Sequence, residues 1–283
     1  MPGTLFVVAT PIGNLEDLSF RALRVLKDVQ LIAAEDTRRT AKLLAHYKIQ
    51  CPMVSLREHN ERRETPRLLE RLAAGESIAL VSDAGTPTIS DPGASLIRVV
   101  RERRIPVVPI PGPSAITTAL SASGLPADSF VFLGFPPRAG PQRAEWLSRL
   151  TAEPRTVVFF EAPHRARRTL EDLHRTIGTR PILVSRELTK KYEKLVVYNT
   201  LAPLPDRGEF TIIVGPGGQE KTQPEIDAEL ATGLVDFLAE RPGLSRAVAE
   251  EMAAKALDSD VRAVRNTVKK YKIMVKRQNG PSA

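Results

Sequence analysis

The feature that most constrains this chain is a repeated change of hydrophobic period. Within residues 1–112, four strand-sized apolar runs (Leu5–Ala9, Leu31–Ala34, Ile78–Val81 and Val107–Ile110) alternate with helix-patterned stretches near 19–28, 38–46, 60–74 and 94–104. Strands that alternate with helices build a parallel sheet wrapped by those helices. A second series of apolar runs follows at Phe130–Leu133, Thr156–Phe160, Ile182–Val184, Leu195–Tyr198 and Phe210–Val214, with helical patterns only near 141–150 and 164–177. No helix separates the last two runs, which predicts an antiparallel edge there and a smaller mixed α/β domain over about 115–216. Gly215-Pro216-Gly217-Gly218 then punctuates the chain. Helical patterns near 224–240, 244–257 and 260–276 follow, with Ser245 offered as an N-cap. The fold class expected is α/β in two domains, 1–114 with a parallel sheet and 115–218 with a mixed one, plus a helical C-terminal extension over 222–283.

Charge narrows the class of partner. The 283 residues hold 41 Lys and Arg against 33 Asp and Glu, a net charge of +8, and such a surplus favours a polyanion, nucleic acid first among them. The last helical segment carries Arg262, Arg265, Lys269, Lys270, Lys272, Lys276 and Arg277 with no acid after Asp260. Its apolar residues Val261, Val264, Val268, Tyr271 and Val275 recur at helical spacing, which leaves the basic side chains on other faces. Phosphate contact is one reading of that helix, and a solvated surface is the plainer one.

Other classes are disfavoured. Cys51 is the one cysteine, so no intrachain disulfide forms, and four scattered His give no metal-ligand spacing; no metal is expected. No apolar run approaches the roughly 20 residues that span a bilayer. The amino terminus lacks the basic and apolar regions of a signal peptide, so a cytoplasmic protein is expected.

Chemistry concentrates in the turns that follow strands. Neither a P-loop nor a G-x-G-x-x-G fingerprint occurs. In their place, Thr10-Pro11-Ile12-Gly13-Asn14 follows the first run. Ser82-Asp83-Ala84-Gly85-Thr86-Pro87-Thr88-Ile89-Ser90-Asp91-Pro92-Gly93 follows Ile78–Val81. In open α/β sheets ligands bind at this carboxyl end of the strands. Glycine lets backbone approach a ligand and proline fixes the loop. Asp83 stands where a carboxylate can accept hydrogen bonds from a ribose or an amine, although an Asx-turn or a cap also accounts for it. Pro111-Gly112-Pro113-Ser114-Ala115 opens a helix whose first amides can hold a carboxylate, or simply end a linker.

These segments, together with Glu35-Asp36-Thr37-Arg38, resemble the tetrapyrrole-methylase superfamily. Further pieces sharpen the resemblance: His59-Asn60-Glu61, Gly134-Phe135-Pro136-Pro137-Arg138, Phe160-Glu161-Ala162-Pro163-His164-Arg165 and Arg186-Glu187-Leu188-Thr189-Lys190. They are similar to its bacterial ribosomal-RNA branch, whose members methylate the ribose 2′-hydroxyl of a cytidine in the decoding region of 16S rRNA. Any one motif is weak, but their joint order over about residues 4–215 is specific. The resemblance implies an S-adenosylmethionine-dependent enzyme acting on the small ribosomal subunit, a cofactor cleft between two α/β domains, a homodimer and no catalytic metal. It places the cofactor against Thr10, Pro11, Asp83, Ala84, Gly85, Thr86, Ile89, Ser114 and Ala115, with Phe135, Phe160 and Ala162 closing from the second domain. Two departures stand out. Lys194 occupies a position where relatives often have a second Glu, and only Asn199–Gly208 fills the place where relatives tend to have a helix.

A ribose hydroxyl is hardly ionised at neutral pH, so a base is needed. Glu35, Asp36 and Glu187 are candidates, as is Lys190 if burial lowers its pKa. Arg38, Arg165 and Arg186, with Arg262, Arg265, Lys269 and Lys270 of the tail, are candidate RNA contacts; the plainer reading of each is a surface ion pair. Two rival functions remain open at this point, a methylase acting on a tetrapyrrole and a non-catalytic RNA-binding assembly factor that keeps a cofactor fold.

Overall fold

The computed structural model of the chain describes residues 2–198, 207–217, 227–257, 259 and 261–278. The chain divides into two compact units, Met1–Gly217 and Gly218–Ala283.

The first unit begins with a five-stranded parallel sheet of β1 (Leu5–Val8), β2 (Leu31–Ala34), β3 (Met53–Ser55), β4 (Ile78–Val81) and β5 (Val107–Ile110), in the order β3-β2-β4-β1-β5. Every residue of β2 and β4 is buried. That burial explains why these runs are continuously apolar, because helices cover both faces of a parallel sheet. On one face α1 (Phe20–Asp28) and α2 (Thr37–His46) bring Leu26 and Leu44 against Val8, Ile32 and Val81. On the other face α3 (Glu61–Ala73) and α4 (Ala94–Glu102) bring Leu68, Leu72, Leu96 and Val100 against Leu5, Leu31 and Leu80. Ser19 caps α1 by accepting from Ala22 N–H, and Asp36 caps α2 by accepting from Arg38 N–H.

The strand β3 has no counterpart in the sequence reading. It has three residues, all half-buried, directly after Pro52, and it forms the sheet edge. A segment that short carries no periodicity to detect.

From α5 (Ala115–Ser123) the chain passes into a second sheet of β6 (Phe130–Phe132), β7 (Thr156–Glu161), β8 (Ile182–Arg186), β9 (Lys194–Val197) and β10 (Phe210–Val214), ordered β6-β7-β10-β8-β9. Only β6 and β7 are parallel. The expected antiparallel edge is present, but β8 and β9 form it rather than the last two strands. The last two strands are not neighbours, because β10 inserts between β7 and β8 and leaves β9 at the edge beside β8. All five residues of β10 are buried, which is what a central strand requires.

One face of this sheet packs on α6 (Gly140–Ala152) and α7 (Pro163–Thr176), with Trp146 edge-on to Phe159 at 5.0 Å. The other face packs on α5 and receives Ile12 from the loop after β1. Gly13 lies so close to the Leu188–Lys190 loop that a Cβ would stand 2.5 Å from Lys190 Cγ and 3.0 Å from the Leu188 carbonyl oxygen. The two sheets are thereby joined around the carboxyl edge of the first.

In the second unit α8 (Ala228–Ala239), α9 (Arg246–Ala256) and α10 (Val261–Gln278) share a small apolar core of Ala231, Val235, Ala253, Ala254, Val264 and Val268. Ser245 caps α9 through Val248 N–H. The segment 199–206, read from the sequence as lacking a helix, and the start of the first tail helix near 224 lie outside the described residues.

Candidate active site

The parallel register brings the carboxyl ends of β1, β2, β4 and β5 to one edge. The loops leaving them are tied together there. Thr10 and Gly85 exchange both backbone hydrogen bonds at 2.9 Å, and the Thr10 hydroxyl donates to the Ser82 carbonyl at 3.1 Å. Thr86 Oγ1 donates to the Pro113 carbonyl at 3.3 Å. Gly85 has φ of +78°, a backbone state that a side chain would strain. The tied loops form one wall of a cavity of about 390 Å³, within the range typical of small-molecule sites. The opposite wall comes from the second sheet. Phe135 and Phe160 stand 5.5 Å apart there, beside Ala162 and Thr211.

Of the residues expected to hold a cofactor, Asp83, Ala84, Gly85, Thr86, Ile89, Ser114, Ala115, Phe135, Phe160 and Ala162 border this cavity. Thr10 and Pro11 do not. Thr10 is buried and spends its backbone and hydroxyl on Gly85 and Ser82, so it braces the wall. Ile12, Arg39, Ser90, Asp91, Phe210 and Thr211 also border it and were not singled out in the sequence. Asp91 carried a signal, since it lies inside the loop that sequence reading marked. Phe210 and Thr211 carried none, because their place depends on the insertion of β10.

The four candidate bases separate into two groups. Glu35 borders the cavity, and its Oε2 accepts from Asp83 N–H at 3.1 Å. Asp36 borders an adjoining cavity of about 600 Å³ and pairs with Arg38 at 2.7 Å and Arg57 at 3.5 Å. The hydrogen bonds from Arg38 hold its carboxyl far below the usual carboxylate range. Glu187 and Lys190 border neither cavity and pair with each other at 3.1 Å, while Lys190 also meets Glu209 at 3.0 Å. Burial pushes Glu187 up, but the Glu209 N–H and Lys190 outweigh it and hold its pKa low. Burial likewise pulls Lys190 down, but Glu209 and Glu187 prevail and raise it. The lowered pKa that would let Lys190 act as a base is therefore not met.

The candidate RNA contacts are also differently placed. Arg38 borders the adjoining cavity. Arg165 is turned inward, 2.6 Å from the buried Glu161 and donating to the Pro136 carbonyl at 3.1 Å. That ties Arg165 to the fold, as Arg143 is tied to Thr169 and Asp172. Arg186 Nε donates to the Arg207 carbonyl at 2.9 Å.

In the tail the basic residues are less free than their spacing suggests. Arg265 pairs with Glu250 at 2.6 Å and Lys272 with Asp236 at 2.6 Å, both within the helical unit. Arg262 is exposed but has an interaction of its own. Lys269 and Lys270 are exposed. The side chains of Lys276 and Arg277 lie outside those described.

Residues 4–205 match the profile of the Tetrapyrrole (Corrin/Porphyrin) Methylases. The chain belongs to the tetrapyrrole methylase family. S-Adenosylmethionine is the methyl donor of this family. The methylase is 46% identical over 250 residues to a Pseudomonas aeruginosa protein named ribosomal RNA small subunit methyltransferase I, covering 85% of this chain and 88% of that one. It is 51% identical over 223 residues to a Xylella fastidiosa protein of the same name, covering 75% and 81%. Among solved structures it is similar to uroporphyrin-III-C-methyltransferase from Thermus thermophilus, with a TM-score of 0.51 at 22% identity over 75% of this chain and 94% of that one. At that identity the structural likeness speaks for the fold.

The donor set of the methylase's cavity suits S-adenosylmethionine. The Ser114 side chain makes no cap hydrogen bond, so the first amides of α5 are open to a carboxylate. Asp83 and Glu35 are acceptors for an amine or a ribose, and the Phe135–Phe160 pair offers apolar faces. Among the described residues no group of three or more His, Cys, Asp or Glu is placed to hold a metal ion. No described helix is long and apolar enough to cross a membrane.

Proposed function

We propose that this methylase transfers a methyl group from S-adenosylmethionine to the ribose 2′-oxygen of a cytidine in the decoding region of 16S rRNA, acting on the small ribosomal subunit in the cytoplasm. The observation that carries this reading is the 46% identity across 88% of a relative named for the small-subunit rRNA. The basic net charge of +8 points the same way.

The cofactor is assigned to the 390 Å³ cavity. Asp83 and Glu35 face its polar atoms, the amides opening α5 meet its carboxylate, and Phe135, Phe160 and Ala162 shield it from water. When bound, S-adenosylmethionine supplies a methyl group already activated by a sulfonium. The task left to the chain is to hold the acceptor oxygen in line and to take its proton. Orientation is worth up to roughly 7–11 kcal/mol when alignment is ideal, and a placed base about 10²–10⁴-fold.

Arg38 and the exposed Lys269 and Lys270 are assigned to RNA phosphates, with Arg262 and Arg265 as further tail contacts that keep their protein partners. We infer that two copies of the chain associate. The edge strand β9 exposes Val196 and Val197, a surface a second copy can cover.

The test is methyl transfer from labelled S-adenosylmethionine to small subunits purified from cells that lack the activity. Label in 16S rRNA is expected. Label that enters only a tetrapyrrole, or none at all in protein shown by calorimetry to bind the cofactor, would contradict the reading.

A further inference from the structure

The 390 Å³ cavity and the 600 Å³ cavity share a wall on the carboxyl edge of the first sheet. Glu35, Asp83, Ser90 and Asp91 border both. Two of the three carboxylates are already committed. Glu35 Oε2 accepts from Asp83 N–H at 3.1 Å. Asp83 Oδ1 accepts from Asp36 N–H at 3.0 Å, and its Oδ2 lies 3.5 Å from Arg39. Asp91 is half-buried, and among the described residues no salt bridge reaches it. It sits next to Pro92 and Gly93 at the start of α4, on a stretch where Ser90 has a left-handed φ of +66°.

We propose that Asp91 accepts the proton from the acceptor hydroxyl of a nucleoside seated in the larger cavity, where that cavity meets the one assigned to the methyl donor. The proposal rests on the function given above. The acceptor O–H bond breaks and its proton passes to an Asp91 carboxylate oxygen. The electron pair left on the acceptor oxygen forms the new bond to the methyl carbon, while the carbon–sulfur bond breaks and its pair stays on sulfur. No other reactant is required.

Three observations support Asp91. Its carboxyl is pushed up to about 6, by burial first and then by the charges of Glu35 and Asp83, against a hydrogen bond with Ser82. A base in that range is ionised at neutral pH and stronger than an ordinary carboxylate, as efficient proton transfer asks. The larger cavity carries Arg38 and Arg57 on its border, cations suited to the phosphates flanking a nucleoside, with His59 beside them. Glu35 and Asp83, each fixed by a backbone N–H, then serve as positioning residues that hold the wall and the field around Asp91.

The test compares wild type with Asp91→Asn in single-turnover methylation of small subunits from pH 5 to 8. Calorimetric affinity for S-adenosylhomocysteine and subunit binding are measured alongside. The expected result is a rate about 10²–10⁴-fold lower in the variant, with both affinities retained. The wild-type rate should rise through a pH of about 6, and the variant should lack that limb. A carboxyl NMR titration of the free protein should show one acid near that pH, absent from the variant. An Asp91→Asn rate close to wild type, with the same pH limb, would overturn the proposal. If the variant fails to bind cofactor, the NMR titration of wild type decides: no Asp91 carboxyl titrating near 6 overturns it. A wild type that binds cofactor yet methylates no ribose overturns the function and this assignment with it. An active wild type matched by the variant overturns this assignment alone.

Discussion

Two clusters of acids flank the loops of the first unit, and they differ in how their charge is balanced. At Glu187, Lys190 and Glu209 a cation lies between two carboxylates, at 3.1 Å and 3.0 Å. At Glu35, Asp83 and Asp91 the carboxylates face one another across a cavity wall, and Arg39 reaches only Asp83. Both clusters look alike in sequence, as acids next to turns. The first holds Glu187 low and Lys190 high, so each stays in its ordinary charged form. The second raises Asp91 to about 6, where it can exchange a proton near neutral pH. Chemistry follows unbalanced charge in a cavity, whereas balanced charge holds loops together.

For cofactor affinity the contrast predicts its largest effect at Asp83. Asp83→Ala removes a proposed partner of the cofactor and should weaken S-adenosylmethionine binding by about 1.5–3 kcal/mol, read by calorimetry with circular dichroism as the folding control. Unchanged affinity in a folded variant would remove Asp83 from the cofactor site and make the two clusters alike.

Lys190→Met and Glu187→Gln should act the other way round. Methyl-transfer rates should stay close to wild type, while stability at neutral pH falls by about 1 kcal/mol in denaturant unfolding, since the pair is partly exposed. Glu187 has its pKa lowered on folding, so its contribution is present above its ordinary value of 4.5 and is lost as pH falls through the folded value. A rate loss as large as that of a base variant would place Lys190 or Glu187 in the chemistry after all.

Asp91 carries the opposite sign. Its pKa rises from 3.8 to about 6 on folding, so the stability it lends is present below 3.8 and lost as pH rises through 6. Asp91→Asn should therefore melt higher than wild type at pH 7–8, by on the order of 1 kcal/mol after allowance for solvent screening. The gap should close near pH 4. A variant less stable at pH 8 would contradict the strained cluster.

Much of the fold was legible because buried parallel strands spell themselves as unbroken apolar runs, and β2 and β4 are buried at every residue. The short edge strand β3 was not, and neither was the place of β10, because strand order depends on long-range pairing that no local pattern encodes. At the site, the loop 82–93 was legible as a candidate ligand loop, and its residues border both cavities. Which of its acids lacks a salt bridge among the described residues was not, since Asp83 and Asp91 are separated only by their neighbours in space. Thr10 shows the converse: it lies in a loop of the right kind but faces inward. Arg165 was read as a candidate RNA contact, with a surface ion pair as the alternative, and it pairs with the buried Glu161.

The smallest effect is expected in the tail. Replacing exposed Lys269 and Lys270 with alanine should lower RNA affinity modestly. It should also flatten the salt dependence, by roughly 0.7–0.9 in log–log slope for each phosphate no longer neutralised. Arg265 and Lys272, already paired with Glu250 and Asp236, should shift that slope less. Equal slopes for all variants would make the tail a structural unit. Removing residues after about 222 should weaken subunit binding and spare cofactor affinity, because the residues bordering the cavity proposed for the cofactor all precede Gly217.

The most direct measurement is nucleoside mass spectrometry of 16S rRNA from small subunits treated with the protein and isotope-labelled S-adenosylmethionine. The label should appear as a methyl group on the ribose of one cytidine in the decoding region, and it should accumulate about 10²–10⁴-fold more slowly with Asp91→Asn. A label on a nucleobase, or an RNA that remains unlabelled while a tetrapyrrole is methylated, would contradict the reading of this cleft.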